Sequence, residues 1–186
     1  MTEREQDQEW VASVQDGDDA AFEALMDRYQ APILAFIYRM TSKADEAQDI
    51  AQEVFVRAYR AIRAPRFHLK KASLSTWLFQ IARNAAIDAL RRQTRKPTDS
   101  LEKMPGMRDA LPDPGALPDQ QVAANELQDR IAHALRRLPE DQRTAIVLSV
   151  YHDQSHADIA AILHCSTKSI ETRIYRARKK LAAWLL

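Results

Sequence analysis

Glycine is nearly missing from this chain, with three in 186 residues. That scarcity argues against hairpin-rich β structure, Gly-rich phosphate loops and the glycine turn of dinucleotide-binding folds. Cysteine is scarcer still. The single Cys165 excludes an intramolecular disulfide framework and fits a reducing cytosol. Long apolar runs are lacking too: each is broken by charge well before the ~20 residues a bilayer span needs, so no membrane insertion is expected. The first ten residues, MTEREQDQEW, are polar and acidic and carry no apolar stretch of a secretory signal. No GxSxG, Walker motif or convincing acid/base pair occurs, so no catalytic residue, cofactor or metal is expected. What is present, 46% hydrophobic residues in short periodic runs, reads as a mostly helical cytoplasmic protein of one domain or two small ones.

The formal net charge of +1 conceals a strong segregation. Residues 1–60 hold 13 acids and 6 bases, whereas residues 61–96 hold 9 bases against Asp88 alone. Residues 97–142 return to 9 acids and 5 bases, and residues 143–186 to 7 bases and 3 acids. Two basic blocks alternating with two acidic ones suggest two anion-facing patches, with acidic surface left for other partners. Any one charge run is ordinarily solvated surface; two, on two helical segments, weaken that reading.

Residues 19–92 read as helical throughout. In DAAFEALMDRYQAPILAFIYRM, Phe22, Leu25, Met26, Tyr29, Ile33, Leu34, Ile37 and Met40 recur at three- and four-residue spacings, as on a core-facing stripe. Pro32 predicts either a kink there or the first turn of a second helix. TSKADEAQDIAQEVFVRAYRAI begins with a Thr/Ser cap candidate, carries Asp45, Glu46 and Asp49 in its early turns and buries Ile50 and Val54. RAPRFHLKKAS is a loop broken by Pro65. SLSTWLFQIARNAAIDALRR restarts a helix with Ser73 or Ser75 as cap and an apolar side of Trp77, Leu78, Ile81, Ala85 and Leu90. Core packing is the expected role of Trp77.

Residues 93–120 differ in kind. They contain five of the eight prolines and two of the three glycines, with little apolar periodicity, and read as a flexible linker. Helical pattern resumes over 121–186. The expected fold is therefore all-α: an acidic tail over 1–18, a helical domain over 19–92, the Pro-rich linker, and a second small helical domain over 121–186.

Within that second domain, SHADIAAIL is a short helix with Ser155 as N-cap and Asp158 three residues on. HCS follows, and Ser166 can cap the next helix, STKSIETRIYRARKK, where Ile170, Ile174, Ala177 and Leu181 share one stripe. Two helices joined by so short a turn predict a helix-turn-helix, which lays the start of its second helix in the major groove. The opposite face offers Thr167, Lys168, Glu171 and Thr172 to base edges, and Arg173, Arg176, Arg178 and Lys179 to phosphates. Glu171 fits base reading, since a carboxylate accepts from the cytosine amino group but would repel a phosphate.

At these residues the chain resembles the extracytoplasmic-function (ECF) group of bacterial sigma factors, the promoter-recognition subunits of RNA polymerase. The likeness runs over 19–92, on DEAQDIAQEVFVRAYRAI and STWLFQIARNAAIDALRR, and over 127–182, on ALRRLPEDQRTAIVLSVYHDQSHADIAAILHCSTKSIETRIYRARKKL. The resemblance implies that 19–92 is sigma domain 2, binding core polymerase through Asp49, Gln52, Glu53 and Phe55. The same domain would read and melt the −10 element through Arg66, Phe67, His68, Lys70, Lys71, Arg83 and Asn84. It implies that 121–186 is sigma domain 4, reading the −35 element through Ser166, Thr167, Lys168, Ser169, Glu171, Thr172, Arg173 and Arg176. Core RNA polymerase, promoter DNA and an anti-sigma factor are the implied partners. Departures are Gln48, where the family usually has an acid, and His164 and Lys168, where it commonly has glycine.

Two other readings remain at this level. An operator-binding helix-turn-helix regulator acting without polymerase would dimerise on a palindromic site. His152, His156, His164 and Cys165 lie close enough in sequence to suggest a metal site, but a helix starting at Ser155 would break their spacing, leaving scattered histidines.

Overall fold

The computed structural model of the chain describes residues 2–69, 72–95 and 118–185. The described residues form eight helices and no strand: α1 (Glu3–Asp16), α2 (Asp19–Thr41), α3 (Ala44–Ile62), α4 (Leu74–Arg95), α5 (Pro118–Arg136), α6 (Glu140–Tyr151), α7 (His156–Leu163) and α8 (Thr167–Leu185). Most of the expected linker, and Lys70 and Lys71 of the expected melting loop, lie outside the described residues.

The N-terminal bundle is built on α2. Its apolar stripe buries Leu25, Ile33, Phe36, Ile37 and Met40 against Ile50, Val54, Ala58 and Ile62 of α3 and Leu78, Phe79, Ala82 and Ala86 of α4. Pro32 does not start a second helix here: α2 runs unbroken from Asp19 to Thr41 with the proline inside it. A proline costs a helix one N–H bond, and the buried stripe on both sides of position 32 holds the helix together regardless. The α3 cap also differs from expectation. Ser42 closes α2 in the left-handed region (φ 60°), and the N-cap of α3 is Lys43, which makes no side-chain cap bond. Thr41 instead donates from its hydroxyl to the Ile37 carbonyl. Ser73 is the cap of α4, its Oγ accepting the Thr76 N–H at 3.1 Å.

The segment expected as an acidic tail is helical. Thr2 and Glu5 form a reciprocal capping box at the start of α1, and Gly17 ends the helix at φ 104°. Val11 and Val14 pack into the bundle, and buried Asp7 takes Arg28 at 2.8 Å and the Tyr29 hydroxyl at 2.5 Å. Burial and that carboxylate together raise the Tyr29 pKa well above its usual value, so the phenol stays a donor.

In the C-terminal bundle α8 is the hub, packed by α5, α6 and α7. Helix α6 has an unusual burial pattern: six consecutive residues, Arg143 to Leu148, are all buried. One helix face cannot account for six in a row, since burial against a single neighbour recurs every three or four residues. The cause is a second neighbour: α6 packs on α7 and α8 on one side and on α2 of the other bundle on the opposite side.

Candidate nucleic-acid interface

The helix-turn-helix forms as its caps predict. Ser155 Oγ accepts the Asp158 N–H at 3.1 Å and starts α7, and Ser166 Oγ accepts the Ser169 N–H at 3.2 Å at the start of α8. Between them His164 adopts a left-handed conformation, φ 51° and ψ 48°, and its N–H turns back to the Ala160 and Ala161 carbonyls. This is the turn position where glycine is the unstrained choice, and the chain holds it with histidine. Ile170, Ile174 and Ala177 are buried on the inner side of α8. On its outer side Lys168, Glu171, Thr172, Arg176, Arg178 and Lys179 are exposed. Tyr175 stands among them at 67% exposure. Sequence reading passed over this tyrosine, although it lies four residues after Glu171 and seven after Lys168, on the same outer stripe.

Arg173 does not join that stripe. It is turned inward, with its guanidinium 3.3 Å from Cys165 Sγ and 3.0 Å from Asp141 Oδ2 at the start of α6. Thr167 and Ser166 are exposed at the helix start and Ser169 is half-buried beside them.

The expected melting set divides between two sides of α4, linked by one contact in which Arg83 Nη1 donates to Asn84 Oδ1 at 3.4 Å. Phe67 is half-buried against Trp77, ring centroids 4.9 Å apart, and is fixed by Gln15, whose Nε2 donates to the Phe67 carbonyl at 2.9 Å. Arg66 and His68 are exposed on either side of it. Asn84, seven residues after Trp77, is exposed on the corresponding side of α4. Arg83 belongs to the other face, with Thr76 and Gln80, which meets the C-terminal bundle. There Thr76 donates to Asp158 at 3.0 Å, Gln80 pairs with the His164 ring at 2.6 Å, and Arg83 reaches Asp141 at 3.0 Å and Glu140 at 3.4 Å. Phe79 is a core residue, 2% exposed, and Trp77 is half-buried.

On α3, Asp49, Gln52 and Glu53 are exposed on one outer face, with Gln48 beside them. Phe55 is not on that face. It points inward at 5% exposure, so it supports the helix by packing and offers no surface to a partner. Val56 takes the outward position instead, 43% exposed, one residue later in the chain.

The two bundles meet in a seam that holds its own polar groups. Arg143, buried on α6, donates from Nη1 to the Met40 carbonyl at the C-terminal end of α2, at 2.5 Å. A cation at that end suits the helix dipole, but burial lowers the Arg143 pKa against the pull of Glu140. His152 lies between Phe36 (centroids 5.9 Å) and Phe79 (5.0 Å), and its Nε2 has no hydrogen-bond partner among the described residues. Burial, and next Arg39, push the His152 pKa from 6.5 down to about 4, with Asp153 opposing. The seam therefore holds fewer protons than the opened or unfolded chain does. Its stability is complete above pH 6.5 and is lost progressively as the pH falls toward 4. Thermal melting from pH 7 to 5 is expected to fall more steeply for the natural chain than for a His152→Leu variant; parallel slopes would contradict the buried neutral imidazole.

The histidines and cysteine considered for a metal face different partners: His152 the aromatic seam, His164 Gln80, Cys165 Arg173, and His156 the solvent. Among the described residues no three His, Cys, Asp or Glu side chains are grouped to hold an ion. No described helix is long and apolar enough to cross a membrane.

Two helical bundles, one with a basic loop before a long helix and one with a helix-turn-helix, define a promoter-recognition subunit. Residues 25–96 match Sigma-70 region 2 and residues 128–181 match Sigma-70 region 4. The RNA polymerase sigma-H factor of Pseudomonas aeruginosa is 37% identical, over 97% of this chain and 94% of that protein. The ECF sigma factor SigW of Bacillus subtilis is 35% identical, over 92% of each, and the ECF sigma-E factor of Escherichia coli 34%, over 97% and 95%. Among solved structures, CnrH in complex with the cytosolic domain of CnrY superposes with a TM-score of 0.73 at 26% identity, over 97% of both chains. The sigma factor RpoE of Bartonella quintana, in complex with the anti-sigma factor NepR, superposes at 0.67 with 29% identity, over 88% of this chain and 96% of that one. The chain belongs to the ECF group of sigma-70 RNA polymerase sigma factors.

Proposed function

We propose that this sigma factor, acting in the cytoplasm, recruits core RNA polymerase through the outer face of α3 and directs it to promoters through two separate DNA surfaces. The observation that carries the reading is the helix-turn-helix of α7 and α8, whose outer stripe from Lys168 to Lys179 is polar, basic and exposed. On α3, Asp49, Gln52 and Glu53 supply charge and hydrogen-bond acceptors, and Val56 adds an apolar contact. At the −10 element, the half-buried Phe67 ring offers a stacking surface for an unstacked base, and Arg66 and His68, both exposed, lie beside it for the backbone. Stacking of that kind contributes ~1–3 kcal/mol per base. At the −35 element, Ser166, Thr167, Lys168, Glu171 and Thr172 face base edges, while Arg176 and Lys179 neutralise phosphates.

The action is recruitment rather than catalysis. Each bundle supplies half of the promoter contact, and the tether between them raises the effective concentration of the second once the first is bound. The RpoE relative is held by an anti-sigma factor, and the same kind of control, released by a stress signal, is assigned to this chain. A gel shift on promoter duplex with and without core polymerase tests the reading. A promoter-specific complex that requires core is expected; a stable complex of the chain alone on a palindrome would favour an operator-binding regulator.

Base preference gives a finer test. Glu171→Ala is expected to relax selectivity at one C·G pair of the −35 element by about tenfold, within the ~1–3 kcal/mol of a good base contact. An unchanged preference in a promoter library would remove Glu171 from the reading set.

A further inference from the structure

Three arginines converge on the first turn of α6. Asp141 takes Arg83 of α4 on Oδ1 and Arg173 of α8 on Oδ2, each at 3.0 Å. Glu140 Oε1 lies 3.4 Å from Arg83 and 4.0 Å from Arg91. The Arg83 and Arg173 side chains are drawn in to 16% and 25% exposure, while Glu140 and Asp141 keep 33% and 42%. Arg83 comes from the expected −10 set and Arg173 from the expected −35 set. The two carboxylates stand at a helix N-terminus, where the backbone dipole already favours negative charge. Their oxygens are fixed in place by the arginines, as the oxygens of a phosphodiester would be.

A guanidinium Nη2 given to a carboxylate is not at the same time available to a phosphate, and Arg83 and Arg173 each give theirs to this turn. We infer that Glu140 and Asp141 act as an internal mimic of the DNA backbone, holding Arg83 of the −10 surface across the seam while the free chain is closed and Arg173 of the −35 surface within its own bundle. The inference rests on the sigma-factor reading above and deepens it. The clasp closes the same seam that Arg143, Thr76–Asp158 and Gln80–His164 bridge. Opening the seam frees Arg83, whose carboxylate partners lie on the other bundle, so closure and DNA binding compete for Arg83; Arg173 shares a bundle with Asp141 and is held in the closed and open forms alike until Asp141 is neutralised or displaced. Because the pairs are partly exposed, salt screens them, and added salt is expected to favour the open form.

The test uses the full chain without polymerase, in three forms: natural, Glu140→Gln/Asp141→Asn, and Glu126→Gln/Asp129→Asn. The last pair removes the same charge from exposed positions on α5. Small-angle X-ray scattering reads compactness with no DNA present, and fluorescence anisotropy reads affinity for a −35 duplex. The α6 variant is expected to give a larger radius of gyration and about tenfold tighter duplex binding, with neither change in the α5 variant. Asp141→Asn alone, which keeps Glu140 in the first turn of α6, is expected to move both readings in the same direction by less. Unchanged compactness in the α6 variants would overturn the clasp, whether or not the chain proves to drive transcription. An equal gain in duplex affinity for the α5 variant, or expansion without any gain in affinity, would overturn the mimicry.

Discussion

Phe36→Ala is expected to lower the unfolding free energy by about 3–5 kcal/mol, a range typical of deleting a fully buried aromatic ring. Phe36 is 0% exposed and meets Phe79 edge-on at 5.5 Å and His152, the residue that ends α6, at 5.9 Å. It thus belongs to the core of the N-terminal bundle and to the seam with the C-terminal one. A loss of that size is about a fifth or more of the stability of an ordinary domain. The shape of the transition is expected to change as well. With the ring gone, the bundles lose a shared contact, so urea unfolding followed by tryptophan fluorescence and by circular dichroism should cease to coincide. Coincident transitions, with a loss under 1 kcal/mol, would contradict the placement of Phe36 in a shared core.

The second large effect concerns polymerase. Asp49→Lys/Glu53→Lys reverses two charges on the outer face of α3, where both side chains are exposed. Like-charge juxtaposition across an interface costs several kcal/mol, so affinity for core polymerase is expected to fall by about a hundredfold or more. Folding should be nearly untouched: Glu53 loses only an exposed pair with Arg57 at 2.5 Å, a kind of contact that contributes about 0.3–0.5 kcal/mol. The measurement is binding of core polymerase by the purified variant, with its melting temperature as control. Unaltered affinity would place the polymerase contact elsewhere on the bundle. The companion substitution Val56→Ala should weaken binding without moving the melting temperature, whereas Phe55→Ala should do the reverse.

Local signals were legible in the sequence and long-range ones were not. The α7–α8 turn could be read because its caps, Ser155 with Asp158 and Ser166 with Ser169, act over three residues. The helix α1 was readable in principle: Thr2 and Glu5 have capping-box spacing, and Val11, Val14 and Gly17 follow at helical intervals. Its acidic residues mask that pattern, since Glu3, Glu5, Asp7, Glu9 and Asp16 give the segment the composition of a solvated tail. Phe55 and Val56 differ by one position, or 100° of helix rotation, and a motif match cannot by itself say which side faces out. The stretch from Arg143 to Leu148 has no single apolar stripe because it is buried on both sides, which depends on α2 meeting α6 from more than a hundred residues away in the chain. Arg83 and Arg173 carry the same limit. Their charge marks them as phosphate contacts in sequence, while in the folded chain both turn to Asp141, contributed by a third helix.

The most direct measurement of the central claim is transcription in vitro, with core polymerase, this chain and a genomic promoter library. Initiation is expected at a defined set of sites sharing −35 and −10 sequences, dependent on the chain and lost with Asp49→Lys/Glu53→Lys. Core polymerase giving the same transcripts with and without the chain would contradict it.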